Sequence, residues 1–367
     1  MGVFVVGVAL HPSATSIRHL RLEEMAYSTA RRALDDAGVT RAQLDSLTIG
    51  ACDELDGRPI SSMLMSAPAG GYGVDEIKVT DSGASALALA HARFLAGESD
   101  LGLVVSWCKS SKTDVEGVMR LRGEPFYTRP LGIGALVADA LFAQAVREEF
   151  NISDGEVARR VSEACARAAK NPRAIERPPP TAEAVEQSPY EATPLRAGQR
   201  APYTDGAVAL VLASDRFLAA NKECTPLARI AGVGWATDSY RLAAERLRSM
   251  ASARAAWSTA LRQAGLKGAA DLDVIELEAQ TGYHEAAYVR AFAIEQPEVI
   301  SPSGGCFAQN PFFCSGLVNA AEAVLQVSGR AGAVQRPGAR RAVAHSAHGY
   351  AQQGNVVMAF EACGSAK

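Results

Sequence analysis

Nothing in the sequence stays apolar for the ~18–20 residues that a membrane-spanning helix needs. The opening MGVFVVGVALHPS has neither a basic leader nor a small-residue cleavage site. N-myristoylation would want Ser or Thr at position six, where Val6 stands. Cysteines are few and scattered: seven, at 52, 108, 165, 224, 306, 314 and 363, an odd number with no Cys-x-x-Cys pair. That pattern argues against a disulfide framework and offers no zinc-ligand spacing, so reduced thiols, no metal and a cytoplasmic location are the expectation. An excess of one charge sign is also missing. With 37 Lys and Arg against 40 Asp and Glu, the net charge of −3 gives no global pull towards nucleic acid or an anionic membrane.

What is present is a chain of 367 residues, 48% apolar, long enough for two domains or one duplicated unit. Val3 to Val8 reads as a strand buried on both faces. LEEMAYSTARRALDDA (22–37) carries helical periodicity, with Gly38 as its stop. LDSLTIGAC is a second strand, and IKVTDSGASALALAHARFLAGESDLGLVVSW reads strand, turn, helix, strand. The second half repeats this grammar. ALDDAGVTRAQLDSLTI from Ala33 resembles ALRQAGLKGAADLDVIEL from Ala260, and Thr80–Ala96 is echoed by Ser301–Val327, each with a Ser-Gly pair opening an alanine-rich helix. Two matches in the same order argue for duplication. The boundaries are an N-terminal half over 1–215, with an inserted region at about 112–205, and a C-terminal half over 216–367. Within the insertion, Pro178, Pro179 and Pro180 forbid regular structure. Its arginines, from Arg159 and Arg160 to Arg196 and Arg200, suit either a phosphate-bearing ligand or a solvated face.

Further segments fall in a telling order: Lys170-Asn171-Pro172, Asp205-Gly206-Ala207, Ser303-Gly304-Gly305, Gln309 to Gly316, and His348-Gly349-Tyr350 through Gly354. Together with the two βαβαβ halves they resemble the thiolase superfamily, above all its lipid-transfer-type (sterol-carrier-like) members, over essentially the whole chain. The resemblance implies an α/β thiolase fold: a duplicated five-layer αβαβα arrangement with an inserted loop domain. It also implies a substrate that is an acyl thioester of CoA or of a carrier, CoA entering only as part of that substrate. The partner it implies is a second copy, or another thiolase-like or zinc-ribbon/OB-fold chain, in a homodimer or heterodimer.

The family's chemistry uses a cysteine that takes the acyl group, a histidine that activates it, an Asn or His that helps hold a water, and a second cysteine that moves protons. This sequence departs at each position. Thr80 stands in the nucleophile slot, Asn310 in the histidine slot, Glu278 in the Asn or His slot and His348 in the second cysteine slot. A threonine needs a strong adjacent base to act as a nucleophile, and no cysteine lies between 53 and 107. Cys306 and Cys314 are candidate relocated nucleophiles, Cys314 because a helix N-terminus lowers a thiol pKa. His348, Glu278 and Asn310 are expected to converge on one pocket, where Glu and His can do acid–base work without an acyl-enzyme. Tyr350 and Tyr283 are candidate hydroxyl donors. Two functions follow. The first is an enzyme that makes or breaks a C–C bond by enolate chemistry, as an aldolase-like or atypical acyltransferase. The alternative is a non-catalytic thiolase-like subunit that supports a catalytic partner.

Overall fold

The structure is a computed structural model and describes residues 2–58 and 60–364. Nine strands form one sheet: β1 (Val3–Leu10), β2 (Ser46–Gly50), β3 (Asp75–Val79), β4 (Leu101–Lys109), β5 (Asp205–Ser214), β6 (Ala228–Thr237), β7 (Val274–Glu276), β8 (Arg341–His348) and β9 (Gly354–Ala362). Their spatial order is β3-β2-β4-β5-β1-β6-β9-β8-β7. The halves mirror one another about a short antiparallel contact between β1 and β6, at Phe4–Arg229 and Val5–Ala228. At the corresponding edge of the second half, a single parallel bridge joins Ile275 and Ile300 among the described residues.

Helices fill the remaining layers. α1 (Leu22–Ala37) covers the outer face of the first half and ends at Gly38, whose φ of 67° is open to glycine at no steric cost. α2 (Gly83–Leu95) packs with the Ser315–Val327 helix between the two half-sheets. Every residue of the latter is buried, as befits a helix with no solvent face. Its polar residues are therefore satisfied inside, Asn319 Nδ2 donating to the His345 carbonyl at 3.1 Å and Glu322 accepting from Arg173 and Asn171. The Ala251–Gln263 helix covers the outer face of the second half. Five layers result, helix, sheet, helix pair, sheet, helix.

Close helix–sheet approach depends on strand glycines. A Cβ on Gly7 would lie 2.3 Å from the Ala33 carbonyl oxygen of α1, and one on Gly234 would lie 1.9 Å from the Ala256 carbonyl oxygen. Both atoms are backbone and cannot swing aside, so Gly234→Ala is expected to cost ~3 kcal/mol or more of unfolding free energy. Denaturant unfolding checks this, and a loss under ~0.5 kcal/mol, the range of a neutral surface change, would contradict it.

The inserted region is more ordered than its composition implies. α3 (Val115–Arg122), α4 (Ala135–Phe150) and α5 (Asp154–Ala168) are helices, while residues 123–134 and the proline run with its neighbours are irregular. Four of its arginines are engaged by carboxylates. Arg160 and Arg167 pair with Glu285 and Arg173 with Glu322, which ties the insertion to the second half, and Arg200 pairs with Glu116 and Glu191 within the insertion.

Candidate active site

β7 and β8 run parallel, with Ala344 beside Glu276, and a cavity opens beyond their carboxyl ends. It has a volume of about 290 Å³ and is lined by Glu278 and Gln280 from beyond β7, by His348 and Tyr350 from the end of β8, and by Asp139 of α4. α3 supplies Met119 and Arg122, and Phe312 and Phe313 form an apolar wall.

Glu278 is held from β8. Its Oε2 accepts from Ser346 Oγ at 2.8 Å and from the Ala347 amide at 3.3 Å. Ser346 is in turn fixed by packing, because a Cβ on Gly316 would come within 2.0 Å of its Oγ. The first half repeats the device, with Ser106 Oγ against Gly83 and donating to the Gly50 carbonyl at 2.7 Å. Burial pushes the Glu278 carboxyl up to about 7 and outweighs the hydrogen bonds that stabilise its charge. His348, two residues after Ser346, points to the same side of the strand. Burial lowers its pKa, with Asp81 opposing and Arg122 assisting, which favours a neutral ring. Its Nδ1 is buried and has no hydrogen-bond partner.

A second carboxyl faces the cavity. Asp139 Oδ1 lies 3.6 Å from Nε2 of His284, and burial pushes this acid up to about 7. His284 opens the Gly282–Ala291 helix, with Nδ1 2.8 Å from Thr281 Oγ1 and its ring stacked on Phe142 at 4.7 Å. Burial lowers its pKa to about 3, so the ring is neutral.

Asn310 sits one layer behind the wall. Its Nδ2 donates to Gln280 Oε1 at 2.8 Å, while its Oδ1 accepts from Gln280 Nε2 at 3.1 Å and from Ser315 Oγ at 2.8 Å. These bonds hold the amide of Gln280, which lines the cavity. Among the described residues, no group of three or more His, Cys, Asp or Glu side chains gathers to hold a metal ion.

No family model matches the sequence, and no curated protein matches it. Solved structures do. The crystal structure of human mitochondrial 3-ketoacyl-CoA thiolase superimposes with a TM-score of 0.81 at 17% identity, covering 99% of both chains. The structure of the same human enzyme in complex with CoA gives 0.80 at 18% identity, covering 99% of this chain and 98% of that one. This chain has the thiolase fold.

On that fold the expected site residues divide. Glu278, His348 and Tyr350 line the cavity together, but the Tyr350 hydroxyl is spent on the Met119 carbonyl. Thr80 is exposed and faces a separate depression with Asp53, Glu54 and Arg122, whereas its neighbours Asp81 and Ser82 reach the cavity. Tyr283 is buried elsewhere and donates to Asp154 at 2.7 Å. Cys306 and Cys314 are fully buried, and burial raises both thiols well above the usual range, so the helix N-terminus at Cys314 does not yield a thiolate. None of the cavity's lining residues is a cysteine. The sequence reading missed Asp139, Gln280 and His284. The signal for Asp139 was a lone acid in the apolar helical run ALVADALFAQAV.

Proposed function

We propose that the cavity binds an acyl thioester, of CoA or of a carrier, and moves a proton at the carbon beside its carbonyl, so that a C–C bond is made or broken without an acyl-enzyme. The observation that carries this reading is Glu278: a buried carboxyl on the cavity wall, held by Ser346 and Ala347 and pushed by burial up to about 7, in a cavity also lined by the neutral imidazole of His348. A group with a pKa close to the working pH is best suited to both take and return a proton. In its ionised form Glu278 accepts the α-proton. Ser82, the N-cap of α2, lines the cavity, and the partial positive charge at that helix N-terminus supports holding the enolate oxygen there. No thiol is needed, in keeping with the buried cysteines. The human enzyme whose structure contains CoA supports a CoA thioester as the first substrate to try.

Incubation of the purified protein in heavy water with acetyl-, butyryl- and long-chain acyl-CoA tests the proposal. Deuterium is expected at the α-carbon by mass spectrometry. Binding of these thioesters with no exchange above the buffer rate would contradict it and leave the supporting-subunit reading.

A further inference from the structure

Outside the cavity, the irregular segment between α3 and α4 turns large side chains outward. Phe126 is 80% exposed, Leu131 74% and Tyr127 71%, and Leu121 near the end of α3 joins them. Across a depression of about 440 Å³, Tyr127, Leu131 and Ile133 face Tyr240 and Leu242 from the segment after β6. Exposed apolar side chains are ordinary when scattered; gathered on two facing segments they mark a surface that something covers. Most of the loop's amides are satisfied within it. Pro125 and Pro130 have no amide hydrogen. The Phe126, Tyr127 and Thr128 amides donate to the Glu124 carboxylate, and those of Arg129 and Gly132 donate to carbonyls of the loop. Such a loop enters an apolar phase without stranding those donors.

The charges beside this face are positive in excess. Arg120, Arg129 and Arg241 lie on the two segments, and Glu124, the acid on the loop, has the charge of Arg129 beside it. On the facing segment, Asp238 accepts from the Ser239 amide and its charge acts on Arg246. The ion pairs of the region take Arg122, Arg200 and Arg248, and among the described residues none includes Arg120, Arg129 or Arg241.

We infer that this face docks on an anionic lipid bilayer, with Phe126, Tyr127 and Leu131 entering the interfacial layer and Arg120 and Arg241 meeting the acidic headgroups. The inference stands apart from the function proposed above. Charge gives the sign of the partner, and Phe126 gives its shape. Phe126 does not line the depression, so a peptide seated there would leave it in water, whereas a surface that receives the protruding loop covers both. The chain's net charge of −3 does not oppose docking, because attraction to a charged membrane fades within a Debye length and follows the local charges. A Cβ on Gly123 would lie 3.0 Å from the Tyr350 hydroxyl, so the base of the loop abuts the cavity wall and docking sets the cavity beside the lipid.

The test is co-sedimentation of the full-length protein with vesicles of phosphatidylcholine alone and of phosphatidylcholine mixed with phosphatidylserine, with analytical ultracentrifugation of the protein by itself. The wild type is expected to bind the mixed vesicles at least about tenfold more tightly than phosphatidylcholine, and to bind them less as salt rises. Phe126→Ser combined with Leu131→Ser should lower binding at least about tenfold. Arg120→Gln combined with Arg241→Gln should do the same, at about fivefold for each charge. Phe126→Trp, which keeps an interfacial ring, should bind as the wild type does. All these side chains are exposed, so the variants are expected to melt with the wild type. No binding to mixed vesicles, equal binding to both kinds, or undiminished binding in the Phe126→Ser, Leu131→Ser protein would each overturn the inference. A wild-type dimer that this double variant separates into monomers, with no vesicle binding, would assign the face to a second copy of the chain and overturn it as well.

Discussion

Glu278→Gln is expected to lower the rate of α-proton exchange by at least about a hundredfold, because it removes the base while keeping the shape of the site. Glutamine at this position keeps an oxygen for the Ser346 hydroxyl and the Ala347 amide, so the strand ends and the cavity wall stay in place. The pH profile makes the prediction specific. Exchange begins with the ionised carboxylate, so the wild-type rate should rise with pH and level off above about 7, where the buried Glu278 loses its proton. The residual rate of the variant should show no such step. A profile that levels off near 4.5, the ordinary value of a glutamic acid, would assign the base to another group. His348→Ala is expected to lower exchange as well, though less, since the imidazole exchanges the captured proton with solvent and does not touch carbon itself.

The same substitution is expected to stabilise the protein, with a pH dependence of definite sign. Glu278 has a folded-state pKa near 7 against an ordinary 4.5, so the native state binds this proton more tightly than the unfolded chain does. Below pH 4.5 the carboxyl is protonated in both states and little distinguishes it from an amide. Between pH 4.5 and 7 the unfolded chain ionises while the buried native carboxyl keeps its proton, so stability falls by up to about 3 kcal/mol across this window and levels off above about 7. Glu278→Gln removes that penalty. The variant should therefore unfold at higher denaturant concentration than the wild type at pH 8 and at nearly the same concentration at pH 4, below the ordinary carboxyl value. A variant less stable than the wild type at pH 8 would show that the carboxylate is stabilised in place. Loss of function with gain of stability is the usual mark of a strained functional group.

The fold was largely legible because its devices are local and repeated. The α1 helix ends at Gly38 as its periodicity required. The two Ser-Gly steps do open the paired central helices, where Gly83 and Gly316 allow Ser106 and Ser346 to pack closely. Glu278 and His348 are expected in one pocket only through the family resemblance, which puts Asn310 there as well; the first two line the cavity and Asn310 stands behind its wall. What could not be read was a contact between distant segments. Asp139 and His284 are far apart in sequence and meet only when α4 folds over the end of the second half-sheet. The inserted arginines looked available because their partners, Glu285 and Glu322, lie on helices well downstream. Burial also overturned a local expectation. A helix N-terminus lowers the pKa of a thiol in solvent, but Cys314 is wholly enclosed and desolvation outweighs the dipole. At the first-half turn, adjacent residues point apart, so Asp81 faces the cavity and Thr80 does not.

All of the proposed chemistry depends on a carboxyl at position 278 that gains and loses its proton near neutral pH while facing the cavity. The most direct measurement is a carbon-13 NMR titration of protein labelled at the glutamate side-chain carboxyl carbon, with the Glu278 resonance assigned by its disappearance in Glu278→Gln. A midpoint close to 7 is the result this account predicts. A midpoint at or below the ordinary 4.5 would mean a permanently charged, hydrogen-bonded carboxylate with a structural role, and would contradict it.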